Sequence, residues 1–128
     1  MTFIYPPRHR RPPWSRIFFW LGLIAFLGGA LDPLEGACVI LAGSVLLLAS
    51  ARLPHGGLRH PRRWALVSVL IATGTAAMLV LSAAGGIGGN TGRSWAWGIL
   101  ILPYPVGWLL GLGTLAAHAL ARPRRRGV

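Results

Sequence analysis

Residues 95–121 read WAWGILILPYPVGWLLGLGTLAAHALA, an apolar run of 27 residues with no formal charge and a single histidine. About 20 apolar residues already span the hydrocarbon of a bilayer, so a run of this length is typical of a transmembrane helix. Pro103 and Pro105 lie in its middle, and each removes a backbone hydrogen-bond donor. In lipid the freed carbonyls need partners on neighbouring helices or in a wet cavity, which predicts a fourth helix kinked at Pro103/Pro105 inside a larger bundle.

The rest of the chain has the composition of a membrane protein. Of its 128 residues, 54% are hydrophobic and 12% are charged, which is unusual for a soluble domain. Three further apolar runs predict spans at about 14–31, 34–53 and 64–84. The connections between the spans are short, which favours antiparallel neighbours. We therefore expect an all-α integral membrane protein whose residues 14–121 form a four-transmembrane-helix up-down bundle, with a helix at 95–121 as its last span.

The basic residues predict the orientation of this bundle. All 13 are arginines, and 12 of them cluster near the start of the chain, between the second and third spans, and at the end, while Arg93 stands alone. The positive-inside rule places such clusters in the cytoplasm. Residues 1–13 and 122–128 are then basic cytoplasmic tails, and the membrane is expected to be a bacterial cytoplasmic membrane. The net charge of +11 is assigned to topology and to contact with anionic lipid headgroups rather than to nucleic acid.

The two acidic residues of the chain, Asp32 and Glu35, lie in the turn between the first two spans. Helix capping at an outer-face turn is the simplest interpretation. Carboxylates near membrane spans also mark ion or proton paths, and a pairing with Arg93 on the same side is a further alternative.

Residues 85–94 read GGIGGNTGRS and form a glycine-rich connection. Neither a Walker A loop nor a dinucleotide-binding fingerprint is present, because Arg93 replaces the lysine of the first and Thr91 replaces a glycine of the second. We expect an irregular loop that folds back on the rim of the bundle. Contact with a ligand through polar residues such as Asn90 and Arg93 is the alternative.

Small residues on three spans predict where helices pack against each other, and residues 42–44 place them at mid-depth of the second span. Ser68, Ala72 and Thr75 recur on one face of the third span at a three-four spacing. Gly107 and Gly111 form a GxxxG pair on the fourth span. Because lipid supplies no hydrophobic drive between helices, such faces favour close packing. The hydroxyl-bearing face of the third span lining a polar path is the alternative.

Two side chains of the fourth span are candidates for contact with a ligand. Tyr104 would be the polar side chain of an unwound turn between the prolines, as in discontinuous transporter helices. His118 is the single histidine of a predicted span and is a candidate axial ligand for haem or chlorophyll, beside Ala116 and Ala117. No cofactor is predicted otherwise. His55 and His60 in the basic loop lack a third ligand nearby, so no metal site is predicted.

These features favour a structural or accessory subunit of a larger membrane complex that binds other membrane subunits. The alternative is a small homo-oligomeric transporter or channel with a site near Pro103-Tyr104-Pro105, using Asp32, Glu35, Asn90 or Arg93 along its path. An enzyme is not expected, since the sequence offers no intramembrane carboxylate pair and no Ser/His/Asp set.

Overall fold

The computed structural model of the chain describes residues 13–32, 35–53 and 58–121, and every regular element within these ranges is helical. This confirms the all-α expectation for the described residues. Residues 1–12 and 122–128 of the predicted tails lie outside these ranges, as does His55, whereas Pro13 is the first residue of α1. The four α-helices are α1 Pro13–Gly28, α2 Ala37–Arg52, α3 Pro61–Ala83 and α4 Pro103–Leu120. Short 3-10 helices lie at Gly29–Leu31, Gly89–Thr91 and Trp95–Ile101.

Three helical segments are long and apolar enough to cross a membrane. They cover Trp14–Leu31, Pro61–Ala83 and Trp95–Leu120, with 18, 23 and 26 residues respectively. α2 has 16 residues, so at 1.5 Å per residue it is about 24 Å long, several ångströms short of the hydrocarbon thickness. The expectation of membrane-spanning helices is therefore met by three segments on length and composition.

α1 and α2 form an antiparallel hairpin along three pairs of small residues, which we call the small-residue ladder. Ser50 Oγ donates to the backbone carbonyl of Ser15 at 3.0 Å. One heptad further along α1, a Cβ added to Gly22 would lie 3.0 Å from the carbonyl oxygen of Gly43. After another heptad, a Cβ on Gly29 would lie 2.8 Å from the carbonyl oxygen of Gly36. The backbones therefore touch at every second turn, which only small residues allow.

α3 and α4 also approach closely through glycines. A Cβ added to Gly74 would lie 2.4 to 2.7 Å from atoms of Tyr104, and one added to Gly107 would lie 3.1 Å from the backbone nitrogen of Ile71. Gly111 faces Val67 and, at 2.5 Å from the added Cβ, the ring of Phe26 on α1. The second hairpin is thereby packed onto the first.

The centre of the bundle is a layer of large side chains between the two hairpins. Phe26 and Trp64 are fully buried and meet edge to face, with ring centroids 6.1 Å apart. The other members of the core cluster are Ile40, Leu47, Leu58, Val67 and Ile71. Edge-to-face contact is the favoured geometry for two aromatic rings, and it fixes α1 against the first turn of α3.

The fourth segment differs from the expected single kinked helix. Trp95–Ile101 is a 3-10 helix, and the α-helix begins only at Pro103. Pro103 and Pro105 therefore occupy the first turn of α4, where backbone donors lack intrahelical acceptors in any case. Pro103 has no backbone N–H with which to donate a hydrogen bond to the carbonyl of Ile99. This carbonyl accepts instead from the backbone nitrogen of Leu102 at 3.2 Å. The helix type therefore changes at Pro103, and Tyr104 is α-helical rather than unwound.

Substitution of Gly43 by alanine tests the small-residue ladder. The new Cβ would lie 2.5 Å from the backbone nitrogen of Phe26 and 2.9 Å from the carbonyl oxygen of Gly22. Neither backbone atom can move without shifting a helix, so we expect a loss of about 1–3 kcal/mol in stability. The measurement is the thermal unfolding midpoint in mild detergent, followed by tryptophan fluorescence. Gly28→Ala is the matched control, because an added Cβ there has no neighbour within 4 Å. Equal midpoints for the two variants would contradict the ladder.

Candidate functional site

The helix ends divide the charged residues of the described chain into two groups. The Ser50–Ser15 hydrogen bond joins the end of α2 to the start of α1. The rings of Phe19 and His118, 6.3 Å apart, join the start of α1 to the end of α4. The exposed arginines at this end, which we call the basic end, are Arg16, Arg52, Arg59, Arg62 and Arg63. Asp32, Glu35 and Arg93 lie at the opposite end.

A cavity of about 180 Å³ opens at the basic end between the start of α3 and the end of α4. We call it the basic pocket. Its lining residues are Leu58, Arg59, His60, Arg63, Thr114, Ala117, His118 and Ala121. The buried hydroxyl of Thr114 donates to the carbonyl of Leu110 at 2.8 Å, so it is satisfied within its own helix. Among the described residues, two arginines and two histidines therefore supply the polar part of the wall.

The backbone at His60 sets the geometry of this pocket. His60 has φ 65° and ψ 64°, and it is the one non-glycine residue with positive φ among the described residues. This left-handed conformation is uncommon outside glycine, although histidine tolerates it better than most residues. The carbonyl of His60 accepts from the backbone nitrogens of Arg63 at 3.0 Å and Trp64 at 3.4 Å. Since Trp64 is fully buried, it anchors this turn and holds Arg59 and Arg63 at the rim.

His118 also lines a second, larger cavity of about 520 Å³ between α1 and α4, which we call the apolar groove. The other lining residues are Phe19, Trp20, Leu23, Leu27, Leu112, Leu115, Ala116 and Ala119. His118 is half-buried and is the one described residue that lines both the groove and the basic pocket. Of the two alanines expected to make room for a macrocycle, Ala116 lies in the groove and Ala117 in the pocket. Haem or chlorophyll ligation by His118 stays a prediction.

The acidic turn at the opposite end has the geometry of a helix-to-helix connection. The carbonyl of Asp32 accepts from the backbone nitrogen of Gly36 at 2.6 Å. The side-chain Oδ1 of Asp32 accepts from the backbone nitrogen of Glu35 at 3.4 Å. Both acidic residues line an open depression of about 330 Å³ together with Gly28, Gly29 and neighbouring residues. The hydrogen bonds give Asp32 a local role in the turn, whereas the N-cap of α2 is Gly36, which makes no side-chain cap hydrogen bond.

Arg93 caps the end of α3. Its guanidinium donates to the carbonyls of Ala84 at 2.5 Å and Gly86 at 3.1 Å. The backbone nitrogens of Gly85 and Gly86 donate to the carbonyls of Ser82 and Leu81, a Schellman arrangement that needs positive φ at Gly85. The loop therefore folds back onto the rim. This hydrogen bonding accounts for Arg93 within the structure, while Asn90 is exposed.

The predicted residues of α3 and α4 are distributed over the interior of the second hairpin. Ser68 and Thr75 are 7% and 4% exposed, and neither hydroxyl has a hydrogen-bond partner in the described structure. Ala72 is half-buried, and Gly107 and Gly111 are buried against α3 and Phe26. Tyr104 is half-buried, and its backbone lies against Gly74.

Two features of this arrangement were not predicted from the sequence. One is the small-residue ladder, whose signal was the seven-residue spacing of Ser15, Gly22 and Gly29, repeated by Gly36, Gly43 and Ser50. The other is the meeting of the basic loop with the end of α4, which places His118 beside Arg59 and Arg63. An antiparallel pairing of the third and fourth spans implied this meeting.

Replacement of Arg93 by alanine tests its capping role. We expect the last turn of α3 to open more often, because two carbonyls lose a charged donor, at a cost of about 1 kcal/mol. Hydrogen–deuterium exchange of the segment 80–86 in detergent measures this, with severalfold faster exchange expected. Asn90→Ala is the control within the same loop and should leave the segment unchanged. Unchanged exchange of this segment in both variants would contradict the capping role of Arg93.

Comparisons of this chain with protein-family models, with curated proteins and with solved structures give no match. Function is therefore inferred from the geometry of the chain's own residues.

Proposed function

We propose that the chain is a four-span integral membrane protein, with both termini cytoplasmic, that serves as a structural or accessory subunit of a larger membrane complex.

The small-residue ladder supports a fourth span. Ser15 lies level with Ser50, and Gly29 lies level with Gly36, so α2 covers nearly the same depth as α1. If α1 crosses the bilayer, α2 crosses it too, despite having 16 residues. The shortfall is modest because a bilayer thins locally around a short span at a small cost per ångström.

The distribution of charge supports the orientation. Five described arginines lie at the basic end, whereas Arg93 is the one arginine of the described residues at the opposite end. The positive-inside rule then puts the basic end in the cytoplasm, together with the starts of α1 and α3. A bacterial cytoplasmic membrane fits this pattern.

The observation that carries the subunit role is the outward surface of the bundle. Within an apolar stretch of 18 residues in each of the three long segments, 22%, 33% and 17% of the residues are buried. Most side chains of these segments therefore face outward from the bundle. On α3 the outward face includes Val69, Thr73, Ala76 and Val80, all exposed, with small side chains at its centre. Thr73 donates to the carbonyl of Val69 at 2.8 Å, so this face carries no unpaired hydroxyl. A second transmembrane helix can approach closely there, since Thr73 and Ala76 leave the backbone accessible.

The alternative is a homo-oligomeric transporter or channel with its site near Pro103-Tyr104-Pro105. Four buried polar atoms favour it: Trp64 Nε1, Ser68 Oγ, Thr75 Oγ1 and Trp108 Nε1, which have no partner in the described structure. A buried polar group without a hydrogen bond is costly, and water or a solute between α3 and α4 would satisfy it. Thr75 follows Gly74, which contacts Tyr104.

The native mass after mild extraction from the host membrane tests the subunit role. We expect the chain to migrate with larger partners, and Ala76→Phe to reduce their recovery because it blocks the outward face of α3. Val106→Phe is the control, on the outward side of α4, where Val106 is 52% exposed. A partner-free homo-oligomer that conducts solute, and loses flux in Thr75→Val, would overturn the proposal in favour of the alternative.

Accessibility of single cysteines tests the orientation. In a Cys38→Ala background, we expect Ser94→Cys to react with an impermeant maleimide in intact spheroplasts. Arg59→Cys should react only after permeabilisation. The reverse pattern would mean that the protein has the opposite orientation. Labelling of both sites in intact spheroplasts would place residues 59 and 94 on the same side of the membrane, which contradicts an odd number of crossings between them.

A further inference from the structure

We propose that the basic pocket and the apolar groove together bind one anionic phospholipid, with its phosphate between Arg59 and Arg63 and an acyl chain along the groove. The inference rests on the membrane-spanning part of the proposed function. It is independent of the accessory role and of the orientation.

The positive charge of the pocket favours the binding of an anion that is not part of the chain. Arg59 and Arg63 both line a cavity of about 180 Å³, and His60 and His118 complete its polar wall. The chain has two acidic side chains in all, Asp32 and Glu35, and both lie at the opposite end of the bundle. No carboxylate side chain of this chain can therefore neutralise the two arginines. Arginine binds phosphate oxygens through charge-assisted hydrogen bonds, often in a bidentate manner.

The backbone adds to the same preference for phosphate. α3 begins at Pro61, so its positive dipole end faces the region of the pocket. The left-handed conformation of His60 turns the chain sharply just before the helix and brings Arg59 to the same cavity as Arg63. Uncommon backbone conformations of this kind are concentrated at binding sites.

The apolar groove beside the pocket indicates that the bound phosphate belongs to a lipid. His118 lines both cavities, so the groove and the pocket lie next to each other at this one residue. From Phe19 to Leu27 the groove follows α1 for eight residues, which is about 12 Å of helix directed away from the basic end. Its other walls are apolar side chains of α1 and α4. A free phosphate would leave this groove without a matching group, whereas an acyl chain fits both its polarity and its direction.

Lipid retention by the full-length protein tests the inference. Delipidated protein in detergent is titrated with phosphatidylglycerol, with phosphatidylcholine and with glycerol phosphate, and bound lipid is counted by native mass spectrometry. We expect one phosphatidylglycerol per chain, bound at least about tenfold more tightly than phosphatidylcholine. Glycerol phosphate, which lacks the acyl chains, should not be retained.

Variants at the basic end separate a site from general surface charge. Arg59→Gln with Arg63→Gln should weaken phosphatidylglycerol binding by about tenfold or more, as expected for the loss of charged hydrogen bonds. Arg16→Gln with Arg52→Gln is the matched control, since both residues are exposed at the same end but do not line the pocket. Ala116→Trp should also reduce retention by filling the groove, while the unfolding midpoint reports whether each variant is folded.

Three results would overturn the inference. Equal weakening by the two double variants would mean diffuse attraction to the basic end. Retention of glycerol phosphate as tight as that of the lipid would mean a site for a free anion. A bound pigment with visible absorbance, displaced by Ala116→Trp, would mean that the groove holds a macrocycle at His118. None of these results bears on partner recovery, so the subunit role is tested separately.

Discussion

The contact between the backbones of α1 and α2 is the constraint on which the rest of the bundle depends. In a bilayer, apolar side chains gain little by leaving lipid for another helix, so helices associate through close contact and hydrogen bonds. Gly22 against Gly43 and Gly29 against Gly36 provide that contact, and Ser50 adds a hydrogen bond to Ser15. The ladder fixes both the distance and the register of the hairpin. It also brings Phe26 to the position where it meets Trp64 and Gly111.

Register explains the arrangement at the two ends of the bundle. Once Ser15 is level with Ser50, Arg16 and Arg52 lie at the same end, and the Phe19–His118 contact brings α4 to it as well. The basic pocket forms because α3 starts where α4 ends, and His118 lines both this pocket and the groove between α1 and α4. At the opposite end Arg93 is held by the carbonyls of Ala84 and Gly86, which gives it a role in ending α3. The same packing thus produces one end rich in cations and another whose charged side chains take part in turns.

Properties local to a segment could be predicted from the sequence. Length and hydropathy are sufficient to recognise the helices, and the glycines of residues 85–94 indicated a loop that folds back on the rim. The start of α4 was less predictable, because Pro103 and Pro105 fit a kink as well as a first helical turn. Tyr104 was consequently expected in an unwound turn, whereas it lies in the α-helix against Gly74.

The basic pocket could not be predicted from the sequence, because its prediction requires knowledge of which helix ends meet. That meeting depends on contacts between residues more than 50 positions apart in the chain. The heptad spacing of the ladder was visible in the sequence, but it becomes informative only when both helices are compared in antiparallel register.

Crosslinking of α1 to α2 tests this account most directly. In a Cys38→Ala background, Ser15→Cys with Ser50→Cys should form a disulfide within one chain in native membranes, since a hydrogen bond of 3.0 Å already joins these positions. Ser15→Cys with Val39→Cys moves one partner by eleven residues along α2, about 16 Å of helix, beyond the reach of a disulfide, and Val39 is 46% exposed, so its replacement leaves the ladder intact. The account predicts a rapid intrachain crosslink for the first pair and none for the second. Equal crosslinking of the two pairs, or none in either, would contradict the register and with it the level ends of α1 and α2.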